Sequence, residues 1–303
     1  MIVISCQEIV RSLKTTYLEF LEIFLQGKGF VNIEDSYNGM WEMFMIIFVK
    51  SNLQNEVSGV KKMQIAKGKM YTGAKGGVAY GLTFRGRHFS FFGVHLQHGP
   101  HKTLARHKMM SALVKEFKLF QIQSSVFKPL ESDTYADYSF ILGDLNYRVN
   151  STFMYMSRHI EETRNFNIEQ LTIAKMNGFY PGYHEEPINW LPTYKLSETA
   201  NTYVDKKDQC PSFTDRILFK NNTSQEVELH YDCLTQCFGS DHRPVTLDLV
   251  FKNFKTKTLV NFKNCDQIGV LAVDSIELVG VNWTDLKEMV GMKTKAPHMR
   301  LRL

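Results

Sequence analysis

Apolar residues in this chain gather in short, nearly unbroken runs separated by polar clusters, a pattern expected of strands buried on both faces. Ile2 to Ser5, "MFMIIFVK" (Met43 to Lys50), "GVAYGLTF" (Gly77 to Phe84), "HFSFFGVHL" (His88 to Leu96) and Tyr138 to Leu142 read as strands. "RILFK" (Arg216 to Lys220), "VELHYDCL" (Val227 to Leu234) and "PVTLDLVF" (Pro244 to Phe251) add three more. A 3.6-residue spacing predicts helices over Glu8 to Leu25, Leu104 to Phe120 and Glu161 to Met176, the first closed by Gly27 and Gly29. "RGR" (Arg85 to Arg87) reads as a tight hairpin turn. The order of elements predicts an α/β fold in which two sheets pack face to face with helices outside.

Composition narrows the class without choosing a function. With 303 residues, 44% hydrophobic and 22% charged, the chain has the make-up of a soluble protein with one main domain and a partial appendage. A net charge of +5 favours anionic partners such as phosphates, nucleic acid or an inner membrane leaflet. Cys6, Cys210, Cys233, Cys237 and Cys265 are odd in number and scattered, which argues for a reducing compartment and a cytoplasmic protein. Cys233 and Cys237 lack the second Cys/His pair that a structural zinc needs. No apolar run approaches the roughly 20 residues of a membrane span, and "MIVISCQEIV" lacks the basic start of a signal peptide. From Lys255 the chain turns basic and ends in "KTKAPHMRLRL". This extension reads as the first strands of a further domain, or as a tail for anionic membrane.

Chemistry enters where strands end. "FILGDLNYRV" (Phe140 to Val149) runs from a strand straight into an acid, an amide and a cation, and the C-terminal tips of strands are where α/β folds gather functional groups. Four other places behave alike: Glu8 in "SCQEI", His95 in "GVHLQHG", Asp215 and Arg216 in "PSFTDRIL", and Ser240, Asp241 and His242 in "GSDHRPV". Each has a plain structural alternative: Asp144 and Asn146 as a turn device, His95 as a core histidine, Asp215 and Arg216 as an ion pair, Glu8 as a helix-start carboxylate. Together they suit hydrolysis of a phosphate ester. Hard carboxylate oxygens favour Mg²⁺, a carboxylate takes a proton from water, and an imidazole and an amide bind phosphoryl oxygens.

"FILGDLNYR" and "PSFTDRIL" resemble the two defining signatures of the inositol polyphosphate 5-phosphatases. "GAKGGVAYGLTF", "FGVHLQHG", "LPTYKL" and "SDHRPV" resemble that family's accessory motifs in the same order. The resemblance spans roughly residues 1–254, leaving 255–303 as the basic extension. It implies a four-layer α/β sandwich and Mg²⁺-dependent removal of the 5-phosphate from phosphoinositides or soluble inositol phosphates, without a covalent intermediate. By the same resemblance Glu8 holds the metal, Asp241 lies beside it, Asp144 is the base for water, and Asn146 holds that water or the phosphate. His95 lies by the scissile phosphate and Asp215 orients His242. Tyr194, Lys195 and Lys207 contact a neighbouring 4-phosphate, with Arg216 a further substrate contact.

Departures from the family pattern qualify the expected activity. Gln209 stands where the family has Arg, which removes a bidentate cation and predicts weaker dependence on the 4-phosphate. Phe213 replaces a Trp, and Ala74 an Asn. The chain starts inside the "QE" strand, without the preceding "WN" strand, so a central sheet edge is expected to be open and the chain to be a fragment. Three readings follow. They are a phosphatase recruited peripherally to cytosolic membrane faces, a catalytically weakened phosphoinositide-binding module, and a metal-dependent nuclease of the wider superfamily, which "LPTYKL" and "PSFTDRIL" disfavour.

Overall fold

Runs that are apolar at every position need cover on both faces, and the fold supplies it with two stacked sheets between outer helices. The computed structural model describes residues 1–34, 37–40, 42–66, 74–124, 136–164, 167–206, 209–252 and 298–302. In chain order these form β1 (Ile2–Cys6), α1 (Lys14–Gln26), β2 (Phe30–Asn32), β3 (Asn38–Met40), β4 (Met43–Lys50), β5 (Val57–Ala66), β6 (Gly76–Phe84), β7 (Arg87–His95) and α2 (Thr103–Ser124). There follow β8 (Tyr138–Asp144), α3 (Phe153–Met156), α4 (Gln170–Met176), β9 (Asp215–Asn221), β10 (Val227–Cys233), β11 (Val245–Phe251) and β12 (His298–Arg302). One sheet runs β10-β11-β12-β1-β4-β2, with β3 also on β4; the other runs β5-β6-β7-β8-β9.

Alternate residues of each strand enter different layers, as the two-residue period requires. Val3, Met45, Ile47, Phe91, Phe140, Leu142, Phe219 and Leu247 meet between the sheets. Ile2, Ile4, Phe44, Ile46 and Phe48 face the other way, onto Tyr17, Leu18, Leu21 and Leu25 of α1. Phe92, Val94, Ile141 and Leu218 of the second sheet pack on Met110 and Leu113 of α2 and on Leu171 and Ala174 of α4. Each fully buried Leu, Ile or Phe contributes roughly 1.5–3 kcal/mol, so this doubled burial supplies the main drive for folding. The result is the expected α/β sandwich. No helix among the described residues is long and apolar enough to cross a membrane.

Several expected boundaries shift for local reasons. The first helix begins at Lys14, not Glu8, because Glu8 takes φ +56° and turns the chain out of β1, with a short 3-10 turn over Arg11–Leu13 in between. The helix expected over Glu161 to Met176 is divided into a 3-10 turn (Ile160–Arg164) and α4, whose N-cap Glu169 accepts from the amides of Leu171 and Thr172. Arg85 and Gly86 both have positive φ, the geometry that a two-residue hairpin between β6 and β7 demands. The edge strand β5 was not expected. Its exposed, polar-rich sequence carries no apolar run.

The central edge expected to be open is occupied. β12, from the basic C-terminal end, lies antiparallel to β1 and parallel to β11, pairing Cys6 with His298 and Val245 with Met299. The strand propensity noted over Gly269 to Trp283 lies outside the described residues.

Gly143 explains the interruption in the "FILGD" run. Its φ is +134°, and an added Cβ would fall 2.1 Å from the carbonyl oxygen of Val94 on the neighbouring β7. This close approach lets β7 and β8 run parallel to their ends with His95 opposite Asp144. Gly143→Ala is expected to lower unfolding free energy by at least about 2 kcal/mol, from clash and backbone strain together. Denaturant titration reads it, and an unchanged midpoint would contradict the packing described.

Candidate active site

Sheet register places three functional side chains in a row. β7 ends on His95, β8 on Asp144, and β9 begins on Asp215, and the ladders pair His95 with Asp144 and Asp144 with Asp215. All three are nearly fully buried. His95 Nε2 lies 3.2 Å from Asp144 Oδ2 and 3.5 Å from Glu8 Oε1, so the loop after β1 in the other sheet closes this corner. Asn146, held at φ +55°, donates its backbone N–H to Asp144 Oδ1 (2.9 Å) and its amide to Asp144 Oδ2 (2.8 Å) and to the carbonyl of Leu96 (3.1 Å). The "DLN" turn is therefore a turn device and a site element at once.

A second cluster stands beside the first. His242, just before β11, has its Nδ1 2.9 Å from Asp215 Oδ2, and that oxygen also accepts from Thr193 (2.7 Å) and Thr214 (3.0 Å). The ring of Tyr194 lies 4.4 Å from the imidazole, centroid to centroid. Lys195 pairs with Asp241, and the Tyr194 hydroxyl donates to Gln209.

Electrostatics follow from this burial. Desolvation alone would raise Asp144, yet the hydrogen bond and charge of His95, with His242 and Lys75 near, hold it well below the usual carboxylate range. Burial likewise would lower His242, but Asp215, with Asp144 and Asp241 behind it, raises the imidazole to about 9. At neutral pH the site thus presents an ionised Asp144 beside an imidazolium. Asp241 is lowered by His242 and Lys195 despite burial that opposes it.

Two residues given no role in the sequence reading stand in the centre. Lys75 of "GAKGG" reaches His95 Nε2 and lies 3.7 Å from Glu8 Oε1. Burial lowers its ammonium, with Asp144 and Glu8 opposing. Arg148 of "NYR" donates through Nε to the Asn146 carbonyl (3.2 Å), through Nη2 to the Asn146 side-chain oxygen and through Nη1 to Gln209 (3.2 Å), with its guanidinium 4.5 Å over the Tyr194 ring. A cation following the Asp-x-Asn pair was the signal available for Arg148.

Other expected residues are placed elsewhere. Arg216, expected at the substrate, points into a buried ion cluster: both Glu185 oxygens accept from it at 2.6 Å and Glu169 at 3.1 Å. Two buried carboxylates claim the guanidinium, so it is not available to an incoming phosphate. Lys207 lies outside the described residues. Asp241, expected to share a metal with Glu8, has its carboxylate on Lys195, and no group of three metal-ligating side chains forms among the described residues. The donors still fit a hard, largely hydrated cation, which is commonly held by one or two carboxylates. Glu8 is half-exposed, and the adjacent Gln7 Oε1 is buried without a hydrogen-bond partner.

The Asp215–His242 pair has a definite pH signature. An imidazole raised on folding contributes stability that is complete below its ordinary value of 6.5 and is lost as pH rises through about 9. Asp215→Asn is expected to cost about 3–5 kcal/mol, because it leaves a buried imidazolium unpaired, and to bring the His242 midpoint down. Ring-proton NMR titration and denaturation measure both; a variant midpoint still near 9 would refute the pairing.

Comparison with known proteins agrees with this geometry. Phosphatidylinositol 3,4,5-trisphosphate 5-phosphatase 2A of Danio rerio is 28% identical over 221 residues, covering 68% of this chain and 17% of that protein. Type IV inositol polyphosphate 5-phosphatase 7 of Arabidopsis thaliana is 30% identical over 218 residues, covering 67% and 36%. The chain thus spans well under half of either relative. Among solved structures, the inositol polyphosphate 5-phosphatase domain of SPsynaptojanin, in complex with inositol (1,4)-bisphosphate and calcium ion, matches with a TM-score of 0.66 at 23% identity, covering 80% of this chain and 72% of that one. A Cimex nitrophorin in its ferrous NO complex matches with a TM-score of 0.59 at 20% identity, covering 76% and 77%, so the fold alone does not fix the chemistry. Phosphatases of this kind are generally dependent on a divalent metal. Residues 1–248 match a single family description, and the chain accordingly belongs to the Endonuclease/Exonuclease/phosphatase family 2.

Proposed function

We propose that this chain hydrolyses the 5-phosphate of phosphoinositides, such as the 4,5-bisphosphate or 3,4,5-trisphosphate forms, or of soluble inositol polyphosphates, with Mg²⁺ as cofactor. The observation that carries this reading is the convergence of Glu8, His95, Asp144, Asn146, Asp215 and His242 from both sheets onto one rim. Asp144 stays ionised over the working range. It orients an attacking water and takes its proton, although so low a pKa makes it a weak base. With Nδ1 of His242 engaged by Asp215, Nε2 is the ring nitrogen that can face a phosphoryl oxygen, and the positive ring suits an anion. When bound at Glu8, a hard divalent cation supplies charge withdrawal from the phosphoryl oxygens and support for the leaving oxygen. Lys195 and Tyr194 stand beside His242, where a neighbouring ring phosphate would exchange with Asp241 for the ammonium. The net charge of +5 suits peripheral contact with anionic lipid on a cytosolic membrane face.

Phosphate release from a 4,5-bisphosphorylated inositol, with Mg²⁺ and with chelator, tests the proposal. Metal-dependent release is expected, falling at least about 100-fold in His95→Ala and in Asp144→Asn. Headgroup binding without release would instead identify a binding module, and nicking of plasmid DNA a nuclease.

Substrate preference has its own test at Gln209. Its side-chain oxygen accepts from both Tyr194 and Arg148, so an arginine there would meet Arg148 as a like charge and turn toward the substrate. Gln209→Arg is expected to raise the preference for substrates bearing the 4-phosphate by about tenfold, the worth of one charge-assisted hydrogen bond. Equal kcat/KM ratios in variant and parent would remove Gln209 from specificity.

A further inference from the structure

Two loops carry most of the first cluster: residues 96–102 after His95 and residues 145–150 after Asp144. A single buried pair, Arg106 of α2 and Gln170 of α4, touches both. Arg106 donates through Nη1 to the carbonyls of Gln97 (3.0 Å) and Gly99 (2.7 Å) and through Nη2 to Thr103 Oγ1 (3.1 Å) and to Gln170 Oε1. The same Gln170 oxygen accepts the backbone N–H of Arg148 at 3.0 Å. Its amide nitrogen donates to the Pro100 carbonyl (2.9 Å) and to Asn150 Oδ1 (2.6 Å). Every hydrogen-bonding position of that amide is therefore used, two toward one loop and its helix and two toward the other. Both side chains are almost wholly buried, and Arg106 lies over the Tyr147 ring. Its four acceptors are all neutral. A buried guanidinium with no carboxylate among these acceptors is a costly way to brace a fold, whereas an apolar pair could fill the same space.

We propose that Arg106 and Gln170 form a positioning unit that fixes the His95 loop against the Asn146 loop, and so sets the geometry of the hydrolytic site. The connection to the chemistry is short: Arg148, seated by Gln170, holds Asn146, and Asn146 ties Asp144 to Leu96 beside His95. A misplacement of about 1 Å at such a site can lower the rate on the order of 100-fold, while ground-state binding changes little. The catalytic part of this inference rests on the phosphatase reading above.

The test compares wild type with Gln170→Leu, which removes all four bonds, and Gln170→Glu, which keeps both acceptor contacts but sets an oxygen against Pro100 and Asn150. For release of phosphate from the bisphosphorylated inositol, kcat is expected to fall about 10- to 100-fold in both variants with KM within about twofold. Hydrogen exchange on the same full chains is expected to speed up at least about tenfold in residues 96–102 and 145–150, with β5 and β6 unaffected. Unchanged kcat in a folded variant, or faster exchange spread evenly over both sheets, would overturn the positioning role. Absence of phosphate release from wild type would overturn the functional reading instead, and the exchange data would still decide whether the pair holds the loops.

Discussion

Asp215 begins a strand of one sheet and His242 precedes a strand of the other, and the 2.9 Å contact between them joins the two halves of the molecule at its working end. Apolar packing between sheets is forgiving about a small slide of one over the other. A buried carboxylate facing a buried imidazole is not, because separating them leaves two unpaired charges in a low-dielectric layer. Thr193 and Thr214 add donors to the same carboxylate and so restrict its rotation. The placement of His242 against Asp144, and of Tyr194 against His242, follows from that one fixed distance.

How much of this could be read from the chain depends on where each cause lies. Strand ends are marked locally: an apolar run stops and polar groups begin, which located Glu8, His95, Asp144, Asp215 and His242 before any coordinates. Register did the rest, since β7, β8 and β9 end together. Residues whose partners are remote left no such mark. Arg216 meets Glu169 and Glu185, 47 and 31 residues away, and nothing in "TDRIL" distinguishes a substrate cation from a buried one. Lys75 lies in a glycine-rich loop where a lysine ordinarily faces solvent. β12 was concealed by its charge, because "HMRLR" reads as a solvated tail until β1 and β11 are seen on either side.

Interleaving of charge at the rim constrains what a ligand can gain. Each cation already has an anionic or polar partner: Lys195 on Asp241, His242 on Asp215, Lys75 by Glu8, Arg148 on Asn146 and Gln209. An arriving phosphate does not fill a bare positive cavity. It must take a cation from a carboxylate, and the net gain is the difference between two ion pairs, a small quantity set by geometry. Such a site selects by shape more than it binds by charge. That is the condition under which binding energy can be reserved for the transition state, because a ground-state monoester that fits imperfectly gains little from groups already satisfied. Buried donors held in place by second partners, as Asn146 is by Arg148, also cost no reorganisation when charge develops on the phosphoryl oxygens. The same pairing that lowers ground-state affinity therefore keeps the site rigid enough for chemistry.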